Sequence, residues 1–331
     1  MKRFTRVCLI ICGVLAGLGL MFSIIGICMG FGVRQIITMA RDGAFNIHWG
    51  DNDMNFSFWD NMGDGHWNIG GNQEPPASKD SDWSSEVKTF SAADVKNLDV
   101  EFDFGTLLIE SSASGNVETE VNYRSVWGNY NRKVDCTLDG DTLKIRDTVH
   151  KKILRLFSHG TEDAILTIRI PEGKVFEKVK LDVGAAYACV RTELDSEKID
   201  ITIGAGKMEN DTGNAALLKA NDMKLDIGAG QMALDGIETR KLDVECGAGQ
   251  MDLSDVTAQD IDAECGIGQI AMSMNGSEKD YDYEIDCGIG QVVVGSSKYG
   301  GLGSSKSIRN GGSRRMNIEC GIGEIEISFE Q

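Results

Sequence analysis

Between residues 179 and 329 one short phrase returns seven times: an alternating apolar run, a glycine-centred corner, then a second short apolar run. Its clearest copies read LDVECGAGQMDL (residues 242–253), IDAECGIGQIAM (261–272) and YEIDCGIGQVVV (283–294). The first corner glycines are Gly184, Gly204, Gly228, Gly247, Gly266, Gly288 and Gly321. Their usual spacing is roughly 19 to 24 residues, which is the range of solenoid coils. In all but the first copy the corner is Gly-x-Gly: Gly204/Gly206, Gly228/Gly230, Gly247/Gly249, Gly266/Gly268, Gly288/Gly290 and Gly321/Gly323.

Before each corner the apolar positions keep a period of two, as in Leu225/Ile227 and Val244/Cys246; beyond it they change parity, as in Met232/Leu234 and Met251/Leu253. A period of two is a strand with one buried face. A switch of parity across two glycines is a bend, which glycine tolerates because it has no Cβ. One bent unit cannot bury its inner face alone, but copies stacked in register share one core. The pattern therefore predicts an all-β chain, a parallel β-solenoid, in preference to an antiparallel sandwich of hairpins. Residues 98–111 match the phrase as well, with Gly105 read as the corner after Phe102 and Phe104.

The chain before the repeat has its own organisation. Residues 1–6 carry Lys2, Arg3 and Arg6, and residues 7–33 carry no charge. That length spans a bilayer as a helix, and the basic flank places residues 1–6 in the cytoplasm. The expectation is an uncleaved single-pass anchor in the cell membrane, with residues 85–331 extracellular; a secretory signal would have a shorter apolar core and a small-residue cleavage site. Residues 34–84, rich in Asn, Gly and aromatics, read as a juxtamembrane spacer. Residues 295–315 read as a flexible basic insertion in the solenoid, being Gly/Ser-rich with Lys298, Lys306, Arg309, Arg314 and Arg315. Lys144, Arg146, Lys151, Lys152 and Arg155 form a second local basic patch.

The net charge is −18, which excludes nucleic acid as a partner because phosphate recognition needs a basic footprint. The acids are ordered. Two residues before the corner stand Asp103, Asp182, Asp226, Glu245, Glu264, Asp286 and Glu319, and two further back stand Asp200, Asp243, Asp262 and Glu284. Stacking aligns them into acidic rows, and like charges opposite one another destabilise a sheet. Solvation, a divalent cation such as Ca²⁺, a cationic partner or the basic insertion would each offset that repulsion. The calcium-binding nonapeptide is absent. Gln231, Gln250, Gln269 and Gln291 share a position after the corner, where in-register amides can bond down a stack.

Nine cysteines are present. Cys246, Cys265, Cys287 and Cys320 replace Val183, Ile203 and Ile227 at one repeat position, as buried small hydrophobes do. A linear thiol row does not offer zinc a tetrahedron. Disulfides between adjacent coils are within reach, although the Val and Ile occupants show that the position does not require them. For catalysis the sequence offers four histidines, none next to a Ser, Cys or acid in a recognisable nucleophile motif, and no Gly-x-Ser-x-Gly or phosphate-binding loop. It is read as not an enzyme, with polysaccharide cleavage by paired carboxylates the remote alternative.

The phrase LTIRIPEGKVFEKVKLDVGAAYACV (residues 166–190), followed by the Gly-x-Gly copies, resembles the bacterial putative-adhesin family of unknown function, whose members carry β-strand repeats behind one membrane helix. The resemblance covers about residues 95–329 and brings no catalytic residues with it. It implies a cell-envelope protein, adhesive or engaged in envelope-stress signalling, whose partners would be an envelope polymer, a surface protein or a membrane signalling protein.

Overall fold

The computed structural model describes residues 83–124, 133–148, 164–210, 218–300 and 303–330. The anchor expected over residues 7–33 and nearly all of the spacer expected over 34–84 lie outside these. Among the described residues, no helix is long and apolar enough to cross a membrane.

The repeats stack as parallel strands in eight coils, as the period-locked phrase requires. Coil 1 is strand Asn97–Ser112, coil 2 is Val175–Val190, and coil 3 comprises Leu194–Ile203 and Lys207–Asn210. Strand Leu218–Ile227 opens coil 4, strand Gln231–Cys246 passes from coil 4 into coil 5, and Gln250–Thr257 completes coil 5. Coil 6 is Asp260–Cys265 and Gln269–Asn275, coil 7 is Tyr281–Cys287 and Gln291–Val294, and coil 8 is Arg314–Cys320 and Glu324–Glu330.

Parity changes more than once per coil. In strand Gln231–Cys246 the buried residues are Met232 and Leu234, then Ile237 and Thr239, then Leu242, Val244 and Cys246. Gly236, with φ +77, marks one bend and Arg240 the next. A coil therefore has three straight segments, of which the Gly-x-Gly corner joins the two longer ones. The inward residues form continuous ladders, one of them Val100, Leu181, Ile201, Leu225, Val244, Ala263, Ile318 and Ile285. All of these are buried in a single core.

The spatial order differs from the chain order at the C-terminal end. Coil 8 pairs with coil 6 on one side and with coil 7 on the other, on both long faces. It is thus threaded between its predecessors. Coil 7 becomes the terminal rung, and two antiparallel strands close its edges: Ser297–Gly300 on one face and Ser304–Ile308 on the other. The segment expected to be a flexible insertion therefore contains both capping strands, because an open parallel edge leaves a row of unpaired N–H and C=O groups. At the other end, strands Lys133–Asp139 and Thr142–Thr148 extend one face of coil 1. Trp83–Ser91, Asn116–Arg124 and Ala164–Pro171 extend the other.

Two details of the repeat are corrected. Gly105 does not occupy the first corner position; it pairs with Ala186, so Glu101, and not Asp103, stands in line with Asp182. Phe102 is buried, while Phe104 is exposed. The corner glycines also owe their identity to something other than unusual backbone angles, since Gly105 is the one corner residue with positive φ. Close approach is the reason. A Cβ on Gly204, Gly228, Gly247, Gly266, Gly321 or Gly288 would lie 2.6–3.0 Å from a carbonyl oxygen of the neighbouring coil. On Gly206, Gly230, Gly249, Gly268, Gly323 or Gly290 it would lie 2.0–2.6 Å away.

Candidate functional site: the corner stripe

Outward residues beside the corner form rows whose order follows the stack. The row two residues before the corner runs Glu101, Asp182, Thr202, Asp226, Glu245, Glu264, Glu319, Asp286. From Asp226 onward it is five carboxylates on five successive rungs. The next row back runs Asp99, Lys180, Asp200, Lys224, Asp243, Asp262, Asn317, Glu284, so cations and a neutral residue interrupt it.

These interruptions supply most of the charge balance for which the sequence suggested Ca²⁺. Lys224 lies 3.6 Å from Asp226 and 3.4 Å from Glu245, and Lys241 lies 2.9 Å from Asp243 and 3.6 Å from Asp262. Lys180 reaches Asp182 at 4.0 Å. Arg309, from the basic segment, folds back to Glu284 at 2.8 Å and Asp282 at 3.6 Å. The hydrogen bond from Lys241 to Asp243, with the charges of Asp243 and Asp262, raises the lysine pKa. Among the described residues no group of three or more His, Cys, Asp or Glu side chains could hold a metal ion.

The last three carboxylates of the first row stand apart. Among the described residues no Lys or Arg lies within 4.0 Å of Glu264, Glu319 or Asp286, which occupy adjacent rungs of coils 6, 8 and 7. Partial burial and the charges of Glu319, Glu245 and Asp262 raise the Glu264 pKa. Burial and Glu245 likewise raise that of Asp226, at the paired end of the row.

The residue between the two corner glycines makes a second row. It is alanine in coils 2 to 5 (Ala185, Ala205, Ala229, Ala248) and isoleucine in coils 6, 8 and 7 (Ile267, Ile322, Ile289). The isoleucines are 37 %, 39 % and 46 % exposed, so this is an apolar ridge on the surface. Beside it runs a groove of about 540 Å³, lined by Glu245, Glu264, Glu319 and Asp286, by corner glycines and by residues 303–305 of the cap.

Residues 95–307 match the family described as Toastrack DUF4097. The chain belongs to that family. Among solved structures, a "putative cell adhesion protein" from Clostridium sporogenes is 14% identical, with a TM-score of 0.37 over 75% of this chain and 100% of that one. A "putative adhesin" from Parabacteroides distasonis is 15% identical, with a TM-score of 0.41 over 74% and 97%. A "putative lipid binding protein" from the same species is 13% identical, with a TM-score of 0.40 over 76% and 98%. No curated protein matches the chain.

In this Toastrack domain, then, stacking joins all the sequence-predicted carboxylates but Asp103 into rows, and lysines and Arg309 leave one unpaired run on adjacent rungs, Glu264, Glu319 and Asp286. The isoleucine ridge escaped the sequence reading. Its signal was the change from Gly-Ala-Gly to Gly-Ile-Gly in the last three copies, which reads as one conservative alternation until the copies are known to be neighbours. The expected glutamine ladder is also modified. Glu324 falls between Gln269 and Gln291, and Gln291 donates to it at 2.7 Å, while Gln250 donates to Asp252 at 2.9 Å.

Proposed function

We propose that this Toastrack protein is an adhesin-like binding module of the cell envelope, anchored by residues 7–33, which presents the corner stripe of coils 6, 8 and 7 to a cationic partner. The observation that carries the reading is the coincidence, on the same three rungs, of unpaired carboxylates and exposed isoleucines. In coils 2 to 5, by contrast, Asp182, Asp226, Asp243 and Glu245 each have a lysine within 4.0 Å, and the corner residue is alanine. A partner with spaced basic groups and an apolar strip would relieve the repulsion along Glu264, Glu319 and Asp286 while covering Ile267, Ile322 and Ile289. Basic proteins and amine-bearing polymers of the envelope have that chemistry.

The test is retention of envelope components by the immobilised full-length chain from detergent-solubilised membranes. A partner captured at 0.1 M NaCl should be released at 0.5 M, because exposed ion pairs are screened. The triple variant Glu264→Gln/Glu319→Gln/Asp286→Asn should retain at least tenfold less of it. Equal retention by the variant would remove the stripe from the binding surface. Turnover of a glycan by the wild-type chain would instead favour an enzyme.

A further inference from the structure

The thiol row is not used by the binding surface. In the stack it runs Cys246, Cys265, Cys320, Cys287, on four adjacent rungs, all buried and reduced. Three of the four sulfurs lean towards the next rung: Cys246 Sγ, Cys265 Sγ and Cys320 Sγ lie 2.7, 2.7 and 2.8 Å from where a Cβ would stand on Gly268, Gly323 and Gly290. The Cys246 thiol donates to Gly249 O at 3.2 Å and the Cys320 thiol to Gly323 O at 3.1 Å. Along the row the thiols couple electrostatically, Cys265 with Cys246 and Cys320, and Cys287 with Cys320. Neighbouring rungs of a parallel stack are about 4.8 Å apart, within the Cα separation that a disulfide spans. The same four cysteines, with the corner glycines that follow them, line the corner groove.

We propose that this row is an oxidation site, closing under oxidising conditions into two disulfides, Cys246–Cys265 and Cys287–Cys320. This pairing uses all four sulfurs, whereas a central Cys265–Cys320 bond would strand one at each end. The first bond ties coil 5 to coil 6. The second ties the threaded coil 8 to coil 7, across the cap that separates them in sequence.

The oxidant is a small neutral peroxide, which the carboxylates lining the groove do not repel as they would an anionic disulfide. One thiol loses its proton, and the thiolate sulfur attacks the O–O bond to give a sulfenic acid and hydroxide. The neighbouring thiolate then attacks the sulfenic sulfur and expels a second hydroxide. The two hydroxides take up the two thiol protons, so each disulfide forms as one hydrogen peroxide is reduced to two waters. Interaction with Cys265 holds the Cys246 and Cys320 thiols below the ordinary thiol value, whereas neighbouring thiols and burial hold Cys265, and burial holds Cys287, above it, so Cys246 and Cys320 supply the first thiolate of each pair.

The experiment treats the full-length chain with hydrogen peroxide, alkylates the remaining thiols and maps linked peptides by mass spectrometry without reduction. Both links are expected, with a Tm about 5–10 °C above that of the reduced chain and reversible by dithiothreitol. Cys320→Val, which places in coil 8 the side chain found at Val183, should fold, keep the Cys246–Cys265 link and lose part of the rise. Alkylation of Cys246, Cys265, Cys320 and Cys287 after oxidation, a Cys265–Cys320 link, or an unchanged Tm rise in Cys320→Val would each overturn the proposal.

Discussion

A Cβ on Gly230 would stand 2.0 Å from the carbonyl oxygen of Gly206, and neither backbone can move without breaking the ladder on both faces of the corner. Gly230→Ala is therefore expected to cost more than about 3 kcal/mol in urea unfolding. Gly115→Ala, with nothing within 4 Å of the added carbon, should change stability by less than about 0.5 kcal/mol. Glu264 gives a prediction of the opposite sign. Its pKa is raised on folding by burial and by neighbouring carboxylates, so the folded state binds its proton more tightly than the unfolded one does. Stability then falls as pH rises from the unfolded towards the folded pKa, and it stays lower above both. Glu264→Gln should accordingly raise Tm at pH 7, and thermal melts at pH 3, where wild-type Glu264 is already neutral, should show the difference gone.

Coil 8 supplies Met316, Ile318, Cys320, Ile325 and Ile327 to the core and lies between coils 6 and 7. In a solenoid stacked in chain order, removing the last coil would leave its predecessor paired on its other side. Here, termination after Ser313 leaves coil 7 without a parallel neighbour on either long face. Hydrogen exchange should show the amides of Tyr281–Cys287 and Gln291–Val294 losing protection while coils 2 to 5 keep theirs; retained protection would mean that coil 7 docks directly on coil 6. The parallel stack itself was legible in the sequence, because Leu242, Val244 and Cys246 have counterparts at fixed offsets in every copy. The threading was not, for the same reason. By sequence alone Cys265 would match Cys287 as well as it matches its actual neighbour Cys320, so near-identical copies cannot rank their neighbours. Register slipped where a copy was imperfect: Gly105 serves the second corner position, and its spacing from Phe102 and Phe104 carries no mark of that. The carboxylate rows were legible one strand at a time, but their counterions were not. Lys224 and Lys241 balance acids of the following coil, and Arg309 returns from the cap.

Across the whole molecule the charge is −18, and the five-carboxylate row from Asp226 to Asp286 concentrates part of it on one edge. Adjacent rungs are about 4.8 Å apart, and the Debye length is about 10 Å at 0.1 M ionic strength. Salt therefore screens repulsion between distant rungs and across faces well, and between immediate neighbours only in part. Tm should rise by a few degrees between 0.02 and 0.2 M NaCl. Whether a divalent cation adds anything beyond screening depends on converging oxygens. Lys224, Lys241 and Arg309 already stand between the acids, and the described residues offer no cluster of three or more ligands. Calcium chloride at the same ionic strength as sodium chloride should thus give the same Tm within about 1 °C, in calorimetric scans of the full-length chain before and after a chelator. A chelator-reversible excess that disappears in Glu264→Gln/Glu319→Gln would mean instead that the unpaired carboxylates gather a cation between rungs.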